Sequence, residues 1–165
     1  MILPASFQNE WIQQISKSIG KRGDPKLIAK IIYAFALLEQ LKLSGLDLSF
    51  KGGTSVFLMS DPPSRFSIDV DIIVSEKLKN MPAVFDKVVQ SGLFLSWQED
   101  NERKMAANAP VEHYKFFYQS IGGSHFGNEP ILLDVLFSDK PGYEKTIEIP
   151  INHKWLATAE PYPLV

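Results

Sequence analysis

The sequence predicts an α+β fold, a mixed β-sheet flanked by helices, and two observations predict it. Apolar residues recur at helical spacing in the first part of the chain. Short alternating or wholly apolar runs, bounded by glycine and proline, follow from residue 46 onward. These strands and helices do not alternate as regular βαβ units, so a mixed sheet is favoured over a doubly wound parallel one. The 165 residues fit one domain large enough to bury a core, with the core spanning about residues 25–151.

Each element has its own signal. Over residues 6–19, Phe7, Trp11, Ile12, Ile15 and Ile19 recur at helical spacing. A loop from Gly20 follows, in which Asp24 suits an N-cap and Pro25 the first helical position. Leu27, Ile28, Ile31, Ile32, Phe35, Leu38 and Leu41 then form the wide stripe of a core helix over residues 25–43. Leu46 to Phe50 alternates as a strand does and runs into Gly52-Gly53, after which Thr54 or Ser55 would cap a helix holding Val56 to Met59. Asp61-Pro62-Pro63-Ser64 ends it. Ile68 to Val74 reads as a central strand, residues 80–91 as a helix and Leu93 to Trp97 as a strand. Residues 98–110 are polar and offer no secure element. Val111 to Gln119 is an aromatic-rich strand, Ile131 to Phe137 an apolar one, and Thr146 to Ile151 a last one.

Composition narrows the function. Net charge is -2, from 17 basic and 19 acidic residues, so any nucleic-acid contact must come from a local patch. The absence of cysteine excludes disulfides, zinc–thiolate sites and a cysteine nucleophile. The first residues lack the basic and apolar regions of a secretory signal, and the longest apolar run is too short to span a bilayer. A cytoplasmic protein without membrane contact is the expectation.

Asp69 and Asp71 lie two apart in a predicted strand, so both point to one face, about 6–7 Å apart along it. Two anions so placed repel unless a cation lies between them, and hard oxygen ligands at this spacing suit Mg²⁺. The bland alternative has one aspartate capping a loop and the other solvated. Asp134 interrupts an otherwise apolar strand, where an unpaired charge is costly. A metal shared with Asp69 and Asp71 would compensate it, as would a salt bridge to Arg65 or a lysine. Three carboxylates on two strands resemble a two-metal site for phosphoryl transfer.

Gly52 and Gly53 lie between a strand and a helix start. There the backbone can approach a ligand closely and the helix presents free N–H groups to an anion. Thr54 or Ser55 can add a hydroxyl donor; an ordinary strand-to-helix turn has the same residues. Neither a dinucleotide fingerprint nor a full P-loop is present. Arg65 could grip a triphosphate or pair with a carboxylate. Lys51 is a phosphate contact or a solvated lysine, and His113, His125 and His153 show no metal spacing.

Taken together, Phe50-Lys51-Gly52-Gly53-Thr54-Ser55, Arg65-Phe66-Ser67-Ile68-Asp69-Val70-Asp71 and Asp134 in its apolar strand resemble the nucleotidyltransferase superfamily. The match is nearest to the AbiEii/AbiGii toxins of bacterial abortive-infection toxin–antitoxin pairs. The resemblance covers about residues 25–75 well and 111–137 loosely. It implies a polymerase-β-like nucleotidyltransferase fold, with Gly52, Gly53 and Ser55 on the nucleotide phosphates. It further implies two Mg²⁺ ions on Asp69 and Asp71, with Asp134 completing the site beside the attacking hydroxyl. An NTP would be the donor, tRNA or a protein hydroxyl the acceptor, and a cognate antitoxin the partner.

Family members usually continue into a helical C-terminal region with a further lysine, so this chain is expected to be a fragment or a short version. Two other functions fit some of the residues. A degenerate domain that binds without turnover would keep the fold, and a two-metal nuclease would use the acids but leave Gly52-Gly53 unexplained.

Overall fold

The computed structural model describes residues 1–60, 66–76, 78, 80–103, 110–120, 127–139 and 145–165, with Arg22 described by its backbone alone. Arg65 and His125, both singled out in the sequence, lie outside these residues.

A short 3-10 turn at Pro4–Phe7 precedes α1 (Asn9–Ile19), so the first predicted helix is broken in two at Gln8. The second helix, α2 (Pro25–Leu43), has the predicted bounds. Asp24 accepts a hydrogen bond from the Lys26 N–H at 3.0 Å, and Pro25 occupies the first turn. Its buried residues include Ala29, Ala34, Ala36, Leu37 and Glu39 as well as the apolar stripe. A helix apolar on most of its circumference is covered on most sides, and α2 packs against α1 and the sheet.

The helix ends in a turn where the Leu46 N–H bonds Leu41 O at 3.2 Å and the Gly45 N–H bonds Lys42 O at 3.0 Å. That turn consumes residues the sequence had assigned to a strand, so β1 is only Ser49–Lys51. The third helix, α3, runs Gly52–Met59 and starts at the first glycine, with Lys51 as N-cap and no side-chain cap. The expected capping by Thr54 or Ser55 does not occur. The central strand β2 is Val70–Val74, and α4 (Met81–Gln90) precedes β3, which is shifted to Ser96–Glu99. A 3-10 turn follows at Asn101–Arg103, in the polar stretch where no element was expected. Then come β4 (Val111–Gln119), as predicted, and β5 (Asn128–Phe137).

The five strands form one sheet in the order β1-β2-β5-β4-β3. β2 and β5 are parallel at its centre, and the other neighbours are antiparallel. This is the mixed α+β architecture that the sequence predicts. One face is apolar: Val70, Ile72, Val74, Ile131, Leu133, Val135, Tyr114, Phe116 and Tyr118 are buried in the core under the helices. Because strand side chains alternate, the intervening residues Asp71, Asp134 and His113 lie on the other face.

The predicted strand over residues 146–151 is not a strand of this sheet. Ile149 and Val165 exchange backbone hydrogen bonds at 3.0 Å, and only an isolated bridge joins Pro150 to Leu164. Pro150 and Pro163 have no N–H to donate, so the ladder cannot lengthen. Segments outside the predicted core also pack into it. Ile12, Ile15, Trp155 and Leu156 are buried, and the Trp11 indole donates to Trp155 O at 2.9 Å. Among the described residues no helix is long and apolar enough to cross a membrane.

Glu39 is 2% exposed and accepts a hydrogen bond from the Ile2 N–H at 2.7 Å. Burial pushes its pKa up, only partly offset by that bond and by the N-terminal ammonium. In the window above the ordinary carboxylate pKa, the folded chain keeps a proton that the unfolded chain has lost. Stability therefore falls as pH rises through that window. Glu39→Gln keeps the acceptor and removes the charge. Its melting temperature should exceed the parent's at pH 7, and the gap should close as the pH drops below about 4.

Candidate active site

Pairing of the strands sets one row of side chains across the open face. Lys51 on β1 is the register partner of Asp71 on β2, Asp71 of Asp134 on β5, and Asp134 of His113 on β4. Asp69 immediately precedes β2, two residues before Asp71. Adjacent strands are about 4.8 Å apart, so carboxylates far apart in sequence become neighbours. The three predicted acids are thus brought together.

Electrostatics follows from that placement. Burial raises the Asp69 pKa first and the charge of Asp134 raises it further, while Arg103 and Lys30 oppose. Asp71 is also raised, by burial above all. Lys51 pulls it down, while Asp134 and Asp69 push it up. Lys51 Nζ stands 3.8 Å from Asp71 Oδ1. Among the described residues, the Asp69 carboxylate makes no hydrogen bond or ion pair.

Among the described residues, the partners of Asp134 are Arg103 and His113, and no lysine pairs with it. Arg103 grips it as a fork, with Nη1 3.1 Å from Oδ1 and Nη2 3.0 Å from Oδ2. His113 Nδ1 lies 2.8 Å from Oδ1. Neither residue was legible as a site residue. Arg103 sits in a polar stretch with no periodicity, and only the β4–β5 register reveals His113 as the partner of Asp134. His153, by contrast, is structural, buried among Phe35, Phe57 and Trp155.

The glycine turn meets the acids directly. Gly52 has φ +79°, and a Cβ built on it would lie 2.1 Å from Asp71 Oδ2. Its first assignable role is to admit that carboxylate beside the start of α3. Thr54 is fully buried and donates to the Asp69 carbonyl at 2.6 Å, fastening α3 to the strand that bears the acids. Its hydroxyl is therefore spent inside the fold. Ser55 is partly exposed and donates to Gly52 O at 2.8 Å. A groove of ≈ 530 Å³ opens beside Lys51, Gly52 and Ser55 and is lined further along by Val56, Met59 and Ile147.

Among the described residues, no three histidine, aspartate or glutamate side chains are gathered closely enough to hold a metal as they stand. The donor chemistry nevertheless suits a hard divalent cation: Asp69 and Asp71, two residues apart, offer carboxylate oxygens, and burial together with the Asp134 charge raises both pKa values.

Residues 36–164 match the family model described as "Nucleotidyl transferase AbiEii toxin, Type IV TA system". The chain belongs to the AbiEii family. The AbiEii match runs through the segments between and beyond the motifs that suggested it. Two solved structures are similar. JHP933 from Helicobacter pylori is 14% identical, with a TM-score of 0.45, over 86% of this chain and 47% of that one. A second structure from H. pylori, provisionally described as a nucleotidyltransferase, is 17% identical with a TM-score of 0.42, over 70% of this chain and 46% of that one. The chain thus spans about half the length of the solved structures it matches. A comparison with curated proteins gave no match.

Gly45→Ala and Gly52→Ala separate backbone strain from steric conflict. Gly45 has φ +87° with nothing within 4 Å of an added Cβ, so its variant should lose only about 1–2 kcal/mol in urea unfolding. Gly52→Ala should lose more, because Asp71 must also move.

Proposed function

We propose that this AbiEii-family chain carries the nucleotide-transfer site of a cytoplasmic bacterial toxin. It would move a nucleoside monophosphate from an NTP to a hydroxyl on tRNA or a protein, with a cognate antitoxin as its regulator. The observation that carries this reading is the register that sets Asp71 beside Asp134, with Asp69 two residues before Asp71 and Gly52 against Asp71.

Asp69 and Asp71 would hold divalent metal, with Asp134 as the third ligand. Two Mg²⁺ ions bound there would neutralise triphosphate charge and acidify the acceptor hydroxyl, which is what such ions supply to phosphoryl transfer. The chain's own residues would do the positioning. The start of α3 at Gly52 and Gly53 offers free N–H groups and a positive dipole end to the phosphates. Ser55 can turn its hydroxyl from Gly52 O toward an anion, and Lys51 and Arg65 supply positive charge. Thr54 acts indirectly, by holding α3 to the strand that bears the acids. The groove past Ser55 gives the nucleoside space beside Val56 and Met59. The acceptor oxygen attacks the α-phosphorus near Asp134, the bond to the bridging oxygen breaks, and pyrophosphate leaves.

The fork of Arg103 on Asp134 favours one alternative, a module that binds nucleotide without turnover. Incubating the full-length protein with each α-labelled NTP, Mg²⁺ and total cell RNA or protein separates the two. Transfer of label to one acceptor class, lowered more than about a hundredfold in Asp71→Ala or Asp69→Ala, supports transfer. Retained label without transfer marks the binding module. No NTP retention with Mg²⁺ rejects both.

A further inference from the structure

We infer that Arg103 is a displaceable counter-cation, which occupies the ligand oxygens of Asp134 in the free protein and so keeps the three-carboxylate site closed to metal. The inference rests on the nucleotidyltransferase reading of that site.

An ionised carboxylate offers about four lone-pair positions on its two oxygens. On Asp134, Arg103 takes one on each oxygen, at 3.1 and 3.0 Å, and His113 takes a second on Oδ1 at 2.8 Å. Among the described residues, one position on Oδ2 is left. A divalent ion shared with Asp71 would also stand against a guanidinium a few ångströms away. Metal and Arg103 therefore compete for the same negative charge and, on Asp134, for the same oxygens.

Arg103 is placed for this exchange. It closes the 3-10 turn Asn101–Arg103, and its N–H bonds Asp100 O at 3.2 Å. The turn is anchored at its base. The Asp100 N–H bonds His113 O at 2.8 Å, and the Asp100 side chain, 3% exposed, pairs with Lys115 Nζ at 3.0 Å. The arm beyond that anchor reaches the solvent side of the pair: the Arg103 side chain is 38% exposed and its Asp134 partner 17%. The fork can open without disturbing the core, because Asp134, His113 and Arg103 lie on the sheet face away from α2.

The fork geometry is specific to arginine, whose planar head matches a carboxylate with two parallel bonds. Lysine would keep the charge and lose the second bond. The inference thus predicts graded behaviour: closed with arginine, partly open with lysine, open with glutamine.

Titration calorimetry of nucleotide-free protein with Mn²⁺ tests it, using the parent, Arg103→Lys, Arg103→Gln and the double variant Arg103→Gln with Asp71→Asn. Thermal melting would confirm that each is folded. Arg103→Gln should bind Mn²⁺ about tenfold more tightly than the parent, the scale set by one charge-assisted hydrogen bond. Arg103→Lys should fall between them, and the double variant should lose the gain. Equal Mn²⁺ affinity in parent and folded Arg103→Gln, lost with Asp71→Asn, would overturn the counter-cation role and leave the metal site standing. No Mn²⁺ binding in any variant would overturn the metal reading and the inference with it.

Discussion

The parallel pairing of β2 with β5 is the constraint on which the site depends. It aligns Val70 with Leu133, Asp71 with Asp134 and Ile72 with Val135. Val70, Ile72, Leu133 and Val135 are all fully buried under α2, so the register is fixed by the core. A slip of one residue would turn four apolar side chains to water and both aspartates into the core. Apolar burial on one face thereby sets the distance between charges on the other. At about 25 cal/mol per Å² of apolar surface, that burial outweighs the repulsion between partly exposed carboxylates.

Partners complete the balance from both flanks. The Lys51 ammonium approaches Asp71 from β1, and the Arg103 guanidinium and the His113 ring hold Asp134 from the β4 side. Asp69, at the mouth of the row, makes no such contact among the described residues. The carboxylates are therefore graded, from one held by three bonds to one held by none. The glycine turn belongs to the same arrangement, since Gly52 yields its Cβ space to the Asp71 carboxylate and brings the start of α3 against the acids.

Much of this was legible in the sequence, for physical reasons. α2 and β4 were read to the residue because a proline start with an aspartate cap, and a long run of aromatic and β-branched residues, are local signals. The period of two put Asp69 and Asp71 on one strand, whereas the strand begins at Val70 and holds Asp71 alone. Asp134 was rightly read as needing compensation, since a charge amid Leu133, Val135 and Leu136 cannot go unpaired. Its partner was not legible. Arg103 lies in a stretch without periodicity, and His113 faces Asp134 only through an antiparallel register that no local pattern encodes. The short β1 was hidden by the turn that ends α2. The expected strand after Thr146 failed because Pro150 and Pro163 break any ladder. Arg65 lies outside the described residues.

The central claim is that the face bearing Asp69, Asp71 and Asp134 is where metal and nucleotide meet. Paramagnetic broadening by Mn²⁺ in the amide spectrum of the nucleotide-bound protein locates that meeting point directly. The account predicts that the amides of Gly52, Val70 and Val135 broaden first and that those of α1 are spared. Broadening centred elsewhere, or none with nucleotide present, would contradict it.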